Sequence, residues 1–289
     1  VVVDENGIES QIVLCLDGPN KMTDTELPEI LTVTRSRPQT TFGSGSFADS
    51  VAVEAVYALG YYSTNFSDVN EVTALITNFA DEERTYTVQF AVSGTEQYTD
   101  SQDITIPAED SVIVSFTGWL PTLEGQDTLV VSVMGPTEEN VTSNNEAFYI
   151  QNIGPAIIGF DDGSEQVNRA GFGIGSGLIL TKQSIIGCGI INAVEVFLDE
   201  SAANSNRSLY AVVLDEDGTE LASSLELNPS DKEAGNYHTF YFDDPPTILS
   251  DTFFVGLAQV ANPDTAYYPV GVQYETPFIR NGAYFRADL

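Results

Sequence analysis

Apolar and polar residues alternate with a period of two along most of the chain, and no window carries the spacing of an amphipathic helix. The clearest run is Tyr86-Thr87-Val88-Gln89-Phe90-Ala91-Val92. Tyr86, Val88, Phe90 and Val92 share one face of it, and Thr87, Gln89 and Ala91 share the other. Val72–Ile76, Val112–Phe116 and Leu129–Val133 are further strands of this kind. Turn residues part them at Asn78–Glu83, Ser93–Gln97, Pro107–Asp110 and Gly135–Asn145. Residues 51–152 therefore predict an Ig-like sandwich of about seven strands.

Residues 155–289 predict a second sandwich, with strands at Leu178–Leu180, Ile190–Leu198, Ser208–Leu214, Tyr237–Phe242, Thr252–Val260, Tyr267–Tyr274 and Tyr284-Phe285. Leu214–Thr219 reads as a hairpin turn in which Asp217 and Gly218 take the positive-φ positions. Residues 1–50 are less regular. Gln11–Leu16 and Ile30–Thr34 have strand character, and Arg35–Asp49 reads as a loop or linker rich in Ser, Gly and Thr. These strands are expected to pack on the chain's own modules; the alternative is an arm that adds a strand to a neighbour's sheet edge. The fold class is all-β, with two tandem sandwiches.

Two stretches add a resemblance. Val56-Tyr57-Ala58-Leu59-Gly60, the strand Ala74-Leu75-Ile76-Thr77-Asn78, Val92-Ser93-Gly94, Ser115-Phe116-Thr117-Gly118-Trp119 and Asn144-Asn145 resemble CARDB-type Ig-like modules of secreted Bacteroidetes proteins. The chain has Phe79-Ala80-Asp81 where that family shows a glycine after the asparagine. Gly159-Phe160-Asp161-Asp162-Gly163-Ser164 and Phe253-Phe254-Val255-Gly256-Leu257 resemble the jelly-roll modules of large secreted Bacteroidetes proteins. The resemblance implies a non-catalytic, secreted or cell-surface protein with a structural or adhesion role, a module of a surface assembly or filament. Its partners would be other surface proteins or copies of itself. The alternative is a carbohydrate-binding accessory region of a larger secreted enzyme or adhesin. A structural calcium would sit on Asp161, Asp162 and Ser164, as it does in jelly rolls; Asp215, Glu216 and Asp217 form a second acidic turn. No other cofactor is implied.

Charge narrows the partners. There are 43 acidic residues against 10 basic ones, a net charge of −33, and both halves are acidic: 24 against 4 in residues 1–154 and 19 against 6 in residues 155–289. No basic patch can be assembled to displace phosphate counterions, which excludes nucleic acid, and an anionic membrane would repel the chain. The acidity fits a solubility coat or a salty habitat that screens self-repulsion. No apolar run is long enough to span a bilayer, and a first residue of Val1 fits a processed or excised chain. Cys15 and Cys188 stand in apolar contexts, Val13-Leu14-Cys15-Leu16 and Ile186-Gly187-Cys188-Gly189, compatible with either a disulfide or two buried thiols.

Candidate chemistry is sparse. The one histidine, His238, falls opposite the Tyr237/Thr239/Tyr241 face and has no Gly-x-Ser-x-Gly elbow to serve, so no catalytic triad is expected. Gly171–Gly177 is glycine-rich but precedes a strand rather than a helix, which makes it a flexible loop rather than a phosphate cradle. Trp119 is expected to pack in the core or a loop. For a sugar ligand the candidate stacking residues are Tyr237, Tyr241, Tyr267 and Tyr268, with Tyr274 beside them. Ser50, Ser111, Thr128 and Thr265 each follow an aspartate and precede an aliphatic residue, the pattern of Bacteroidetes O-glycosylation. Asn65, Asn140 and Asn206 begin eukaryotic sequons.

Overall fold

The computed structural model describes residues 2–3, 9–10, 41–42, 45–46, 51–67, 69–135, 142–161, 168–203, 206–230, 233–273 and 284–287. The expected strands at 11–16 and 30–34 lie outside them. Near the start, β1 (Val2–Val3) pairs with β2 (Glu9–Ser10), and β3 (Thr41–Phe42) pairs with β4 (Gly45–Ser46). The stretch read as a linker thus contains a short antiparallel ladder.

The first sandwich has eight strands: β5 (Val51–Tyr57), β6 (Tyr61–Ser63), β7 (Val72–Asn78), β8 (Arg84–Gly94), β9 (Tyr98–Ile106), β10 (Ser111–Phe116), β11 (Gly125–Met134) and β12 (Glu146–Gly154). A three-stranded sheet, β10-β7-β5, faces a five-stranded sheet, β6-β12-β11-β8-β9. The alternation of β8 is realised as expected. Tyr86, Val88, Phe90 and Val92 are at most 4% exposed and join Ile76, Phe116, Leu129 and Val131 in one core. Trp119 closes that core, its ring edge-on to Phe90 at 6.3 Å and its indole N–H given to Glu96.

The second sandwich comprises β13 (Asn168–Ala170), β14 (Gly177–Ser184), β15 (Gly189–Ile190), β16 (Ala193–Leu198), β17 (Leu209–Leu214), β18 (Glu220–Ser223), β19 (Asn236–Tyr241), β20 (Thr247–Ile248), β21 (Thr252–Gln259), β22 (Val270–Val272) and β23 (Tyr284–Ala287). Its sheets run β13-β22-β16-β19 and β18-β17-β21-β14-β23, with β15 and β20 as a separate ladder. Val194, Leu198 and Phe240 from the first sheet meet Leu209, Ala211, Val213, Phe253 and Leu257 from the second. Leu180, Val212, Leu214 and Ala258 form another buried cluster on the far face of the five-stranded sheet. β17 is consequently buried on both sides, which a run of Leu, Tyr, Ala, Val, Val and Leu permits and strict alternation would not.

Four expectations are corrected. The run 190–198 breaks at Ile191-Asn192 into β15 and β16. Within the run expected from Tyr267, only Val270–Val272 is strand among the described residues; Tyr267 sits in a bridge to Gly173. In the 214–219 turn only Gly218 takes a positive φ, +83°, because Asp215 caps the turn by accepting from the Asp217 and Thr219 N–H groups. The glycine-rich loop is packed, not loose. The buried Gln259 side chain accepts from Phe172 N–H and donates to the Gly173 and Tyr267 carbonyls.

The sandwiches meet through β6 and the turn after it. β6 runs parallel to the end of β12, and Tyr61 also bridges Gly159. Ser63 is fully buried and donates its hydroxyl to the Pro155 carbonyl at 2.8 Å. Phe66 packs against the second core, and its carbonyl accepts from Ile186 N–H at 2.8 Å.

Candidate functional site

The solvent face of the four-stranded sheet brings polar and aromatic side chains from β16 and β19 together. β16 and β19 pair with Ala193 opposite Tyr241, Glu195 opposite Thr239 and Phe197 opposite Tyr237. Directly opposed residues of an antiparallel pair project to the same side, so these six side chains form one outward face. Val194, Leu198, His238 and Phe240 point inward. His238 is half-buried and lies edge-on to Phe240 at 4.7 Å, a packing position in the sandwich wall.

Tyr237 is 45% exposed and Tyr241 69%. The Tyr237 ring is fixed from two directions. Phe197 meets it edge-to-face at 5.2 Å, and its hydroxyl donates to Asp161 Oδ2. Gln273 donates to the other Asp161 oxygen at 2.6 Å. Gly271 faces Phe197 across the strand pair, and a Cβ there would collide with the Phe197 ring. Glu195 accepts from the Thr239 hydroxyl at 3.1 Å and is otherwise open to solvent. Tyr61, from the first sandwich, borders this face. Burial first, then the negative charges of Asp161 and Glu195, raise its phenol above the ordinary value.

The remaining sequence candidates fall elsewhere. Tyr267 is 1% exposed, and its hydroxyl bonds the Val260 carbonyl. Burial pushes its phenol up to about 12, against the charge of Arg207 and that hydrogen bond. It is a core residue, not a stacking platform. Tyr268 is 37% exposed at the sheet's far edge, with the Arg169 guanidinium 5.4 Å from its ring centroid. Arg169 is opposite Gly271 on β13 and also pairs with Asp199 at 3.7 Å. Tyr274, Asp162, Ser164, Ser50 and Cys15 lie outside the described residues. Cys188 is exposed rather than buried. Of the glycosylation candidates, Thr265 is exposed in a turn, Ser111 shares a 2.8 Å hydroxyl contact with Thr77, and Thr128 is half-buried in β11 behind a fully buried Asp127.

Asp161, the first choice for calcium, has both oxygens engaged by neutral donors. Among the described residues no group of three or more His, Cys, Asp or Glu is placed to hold a metal. Sequence reading missed Asp161 as the partner of Tyr237 because the two are 76 positions apart. Glu195 and Phe197 were legible in principle, since Val194, Val196 and Leu198 alternate with them.

Fold and face together define a protein of all-β sandwich modules with an aromatic and acidic sheet surface. No family model matches the chain, and no curated protein sequence matches it. Among solved structures it is similar to the CARDB domain of a Pyrococcus furiosus protein, whose crystal structure is described as a complex with di-metal ions. The identity is 18% and the TM-score 0.31, over 36% of this chain and 86% of that one. A solution NMR structure of that domain is similar at 17% identity and a TM-score of 0.32, covering 37% of this chain and 96% of that one.

Proposed function

We propose that the protein is a non-catalytic, secreted or cell-surface binding protein whose second sandwich presents a glycan-binding face and whose first acts as a spacer. The observation that carries this reading is the outer row of β16 and β19. Tyr237 is locked by Phe197 and Asp161, and Tyr241 lies exposed further along the same strand face. A pre-oriented aromatic ring loses little freedom when a flat sugar face settles on it, and carboxylate, hydroxyl and amide groups at the rim supply direction. A non-catalytic role is favoured because Asp161 is committed to Tyr237 and Gln273 and His238 to the sandwich wall.

The test is a glycan array followed by calorimetry on the best hit. Tyr237→Ala and Tyr241→Ala should each weaken binding by roughly two- to tenfold, the scale of one lost aromatic contact of about 0.5–1.5 kcal/mol. Binding untouched by both substitutions, or release of reducing ends from the bound sugar, overturns the reading.

A second reading is a subunit of a surface assembly that contacts its own copies, with no sugar ligand. Exposed apolar residues away from this face favour it: Phe148 is 67% exposed on β12, and Ile190 and Leu249 are 60% and 81% exposed near the β15–β20 ladder. Light scattering across salt and calcium separates the two: growth into oligomers supports assembly, and a monomer in every condition rejects it.

A further inference from the structure

Building on the glycan-binding reading, we infer that the sugar this face takes carries a positive charge: a glycan with free, protonated amino groups, its amine on Glu195 and its ring on Tyr241. Glu195 projects from the middle of the outer face. Thr239 lies opposite it, and Tyr237 and Tyr241 flank Thr239 on the neighbouring strand. Its only hydrogen bond among the described residues is the one from Thr239, and no described Lys or Arg forms an ion pair with it. The one Lys or Arg in this sheet's described strands, Arg169, is engaged by Asp199 and by the Tyr268 ring.

The chemistry of the surroundings selects for a cation. An ammonium group gains charge-assisted bonding from Glu195 and attraction to the electron-rich faces of neighbouring tyrosines. Asp161 adds negative potential without offering an open oxygen to a competing metal, since Tyr237 and Gln273 occupy it. The chain's net charge of −33 draws cations in and repels uronic or sialic acids.

A ring-bearing chain fits better than a lone ammonium. Ala193, the residue opposite Tyr241, is small and leaves that ring uncovered, and Tyr237 and Tyr241 are about 13–14 Å apart along β19, at 3.3–3.4 Å per residue. A lysine side chain fills one such position; a sugar chain reaches from one ring to the other. Tyr61 bridges Gly159 two residues before Asp161, and its phenol is raised first by burial and then by the charges of Asp161 and Glu195, so the first sandwich reaches toward this face.

The experiment is calorimetric titration of the full chain, in about 0.15 M salt, with a glucosamine tetramer, its N-acetylated counterpart, a neutral glucose tetramer and a lysine tetrapeptide. The glucosamine tetramer is expected to bind at least tenfold more tightly than the acetylated and neutral sugars, roughly the worth of one charged hydrogen bond. Glu195→Gln should remove that preference, and Glu83→Gln, which subtracts the same charge from a distant turn, should leave it intact. Equal binding of acetylated and amino sugars overturns the inference while the glycan-binding reading stands. Binding of the lysine peptide as tightly as the amino sugar overturns the sugar part of it. Binding by none of the four, with a blank glycan array, removes both readings. Loss of preference in Glu83→Gln as well would reduce the effect to bulk charge and reject the site.

Discussion

Gln259, Asn78 and Glu96 each hold a loop in place through one polar side chain, and each makes a separate test of the packing. Gln259 ties Phe172, Gly173 and Tyr267 together inside the second sandwich. Replacing it with leucine strands those buried backbone groups, and urea denaturation of Gln259→Leu should show a loss of about 3 kcal/mol. Asn78 donates to the Glu82, Ile106 and Pro107 carbonyls and accepts from Ala80 N–H and the Tyr86 hydroxyl. It turns the chain out of β7 without a glycine, which is why Phe79-Ala80-Asp81 is accommodated there. Asn78→Ala should cost about 2 kcal/mol, and Tyr86→Phe about 1 kcal/mol, in the same denaturation assay.

Glu96 gives a pH dependence of definite sign. Burial raises its carboxyl, but bonds from the Thr122 hydroxyl and N–H, Trp119 and the Leu123 N–H outweigh that and hold it below the ordinary 4.5. A depressed carboxyl stabilises the folded state fully above its unfolded value and loses that contribution as pH falls through the folded value. Trp119 is the only tryptophan, so its fluorescence reports this loop alone. Emission should be constant at neutral pH and shift to the red only below about pH 4.5. In Glu96→Ala it should be red-shifted already at neutrality.

Among the elements, legibility followed burial. Strands with one wet face, such as β8 and β10, kept their alternation, and β10 was read to within one residue while β8 extends two residues beyond each end of the expected run. β17, covered on both faces, was found from its apolar run, but that run says nothing about which side faces which sheet. Boundaries failed where side chains from far away decide them. Tyr267 belongs to the core because Gln259 pulls its carbonyl into the Gly173 loop, a contact no local pattern encodes. The candidate face was half visible. Tyr237 and Tyr241 carried a period-two signal, whereas Asp161, noted only as an acidic turn, and Gln273, expected within a strand, reach Tyr237's end of the sheet through contacts that no local pattern encodes. The β17–β18 hairpin depends on Gly218 at φ +83° after the Asp215 cap. Gly218→Val should lower the melting temperature by a few degrees, about 1 kcal/mol for a β-branched residue forced into that region.

Over the whole molecule, 43 acids against 10 bases repel one another, and ion pairs such as Arg84–Glu82 and Arg169–Asp199 offset little of that. Raising salt from about 10 mM to about 0.5 M should therefore raise the melting temperature, by screening rather than by any bound ion. A chelator should leave that rise unchanged if screening alone is responsible. The stretch from Tyr61 to Phe66 adds a condition on how the chain melts. Its first three residues are a strand of one sandwich while its phenylalanine lies against the other's core, so neither can open without uncovering part of its neighbour. Calorimetry should record one cooperative transition for both sandwiches, and Phe66→Ala should divide it in two: a seam six residues long makes two structural units into a single thermodynamic one.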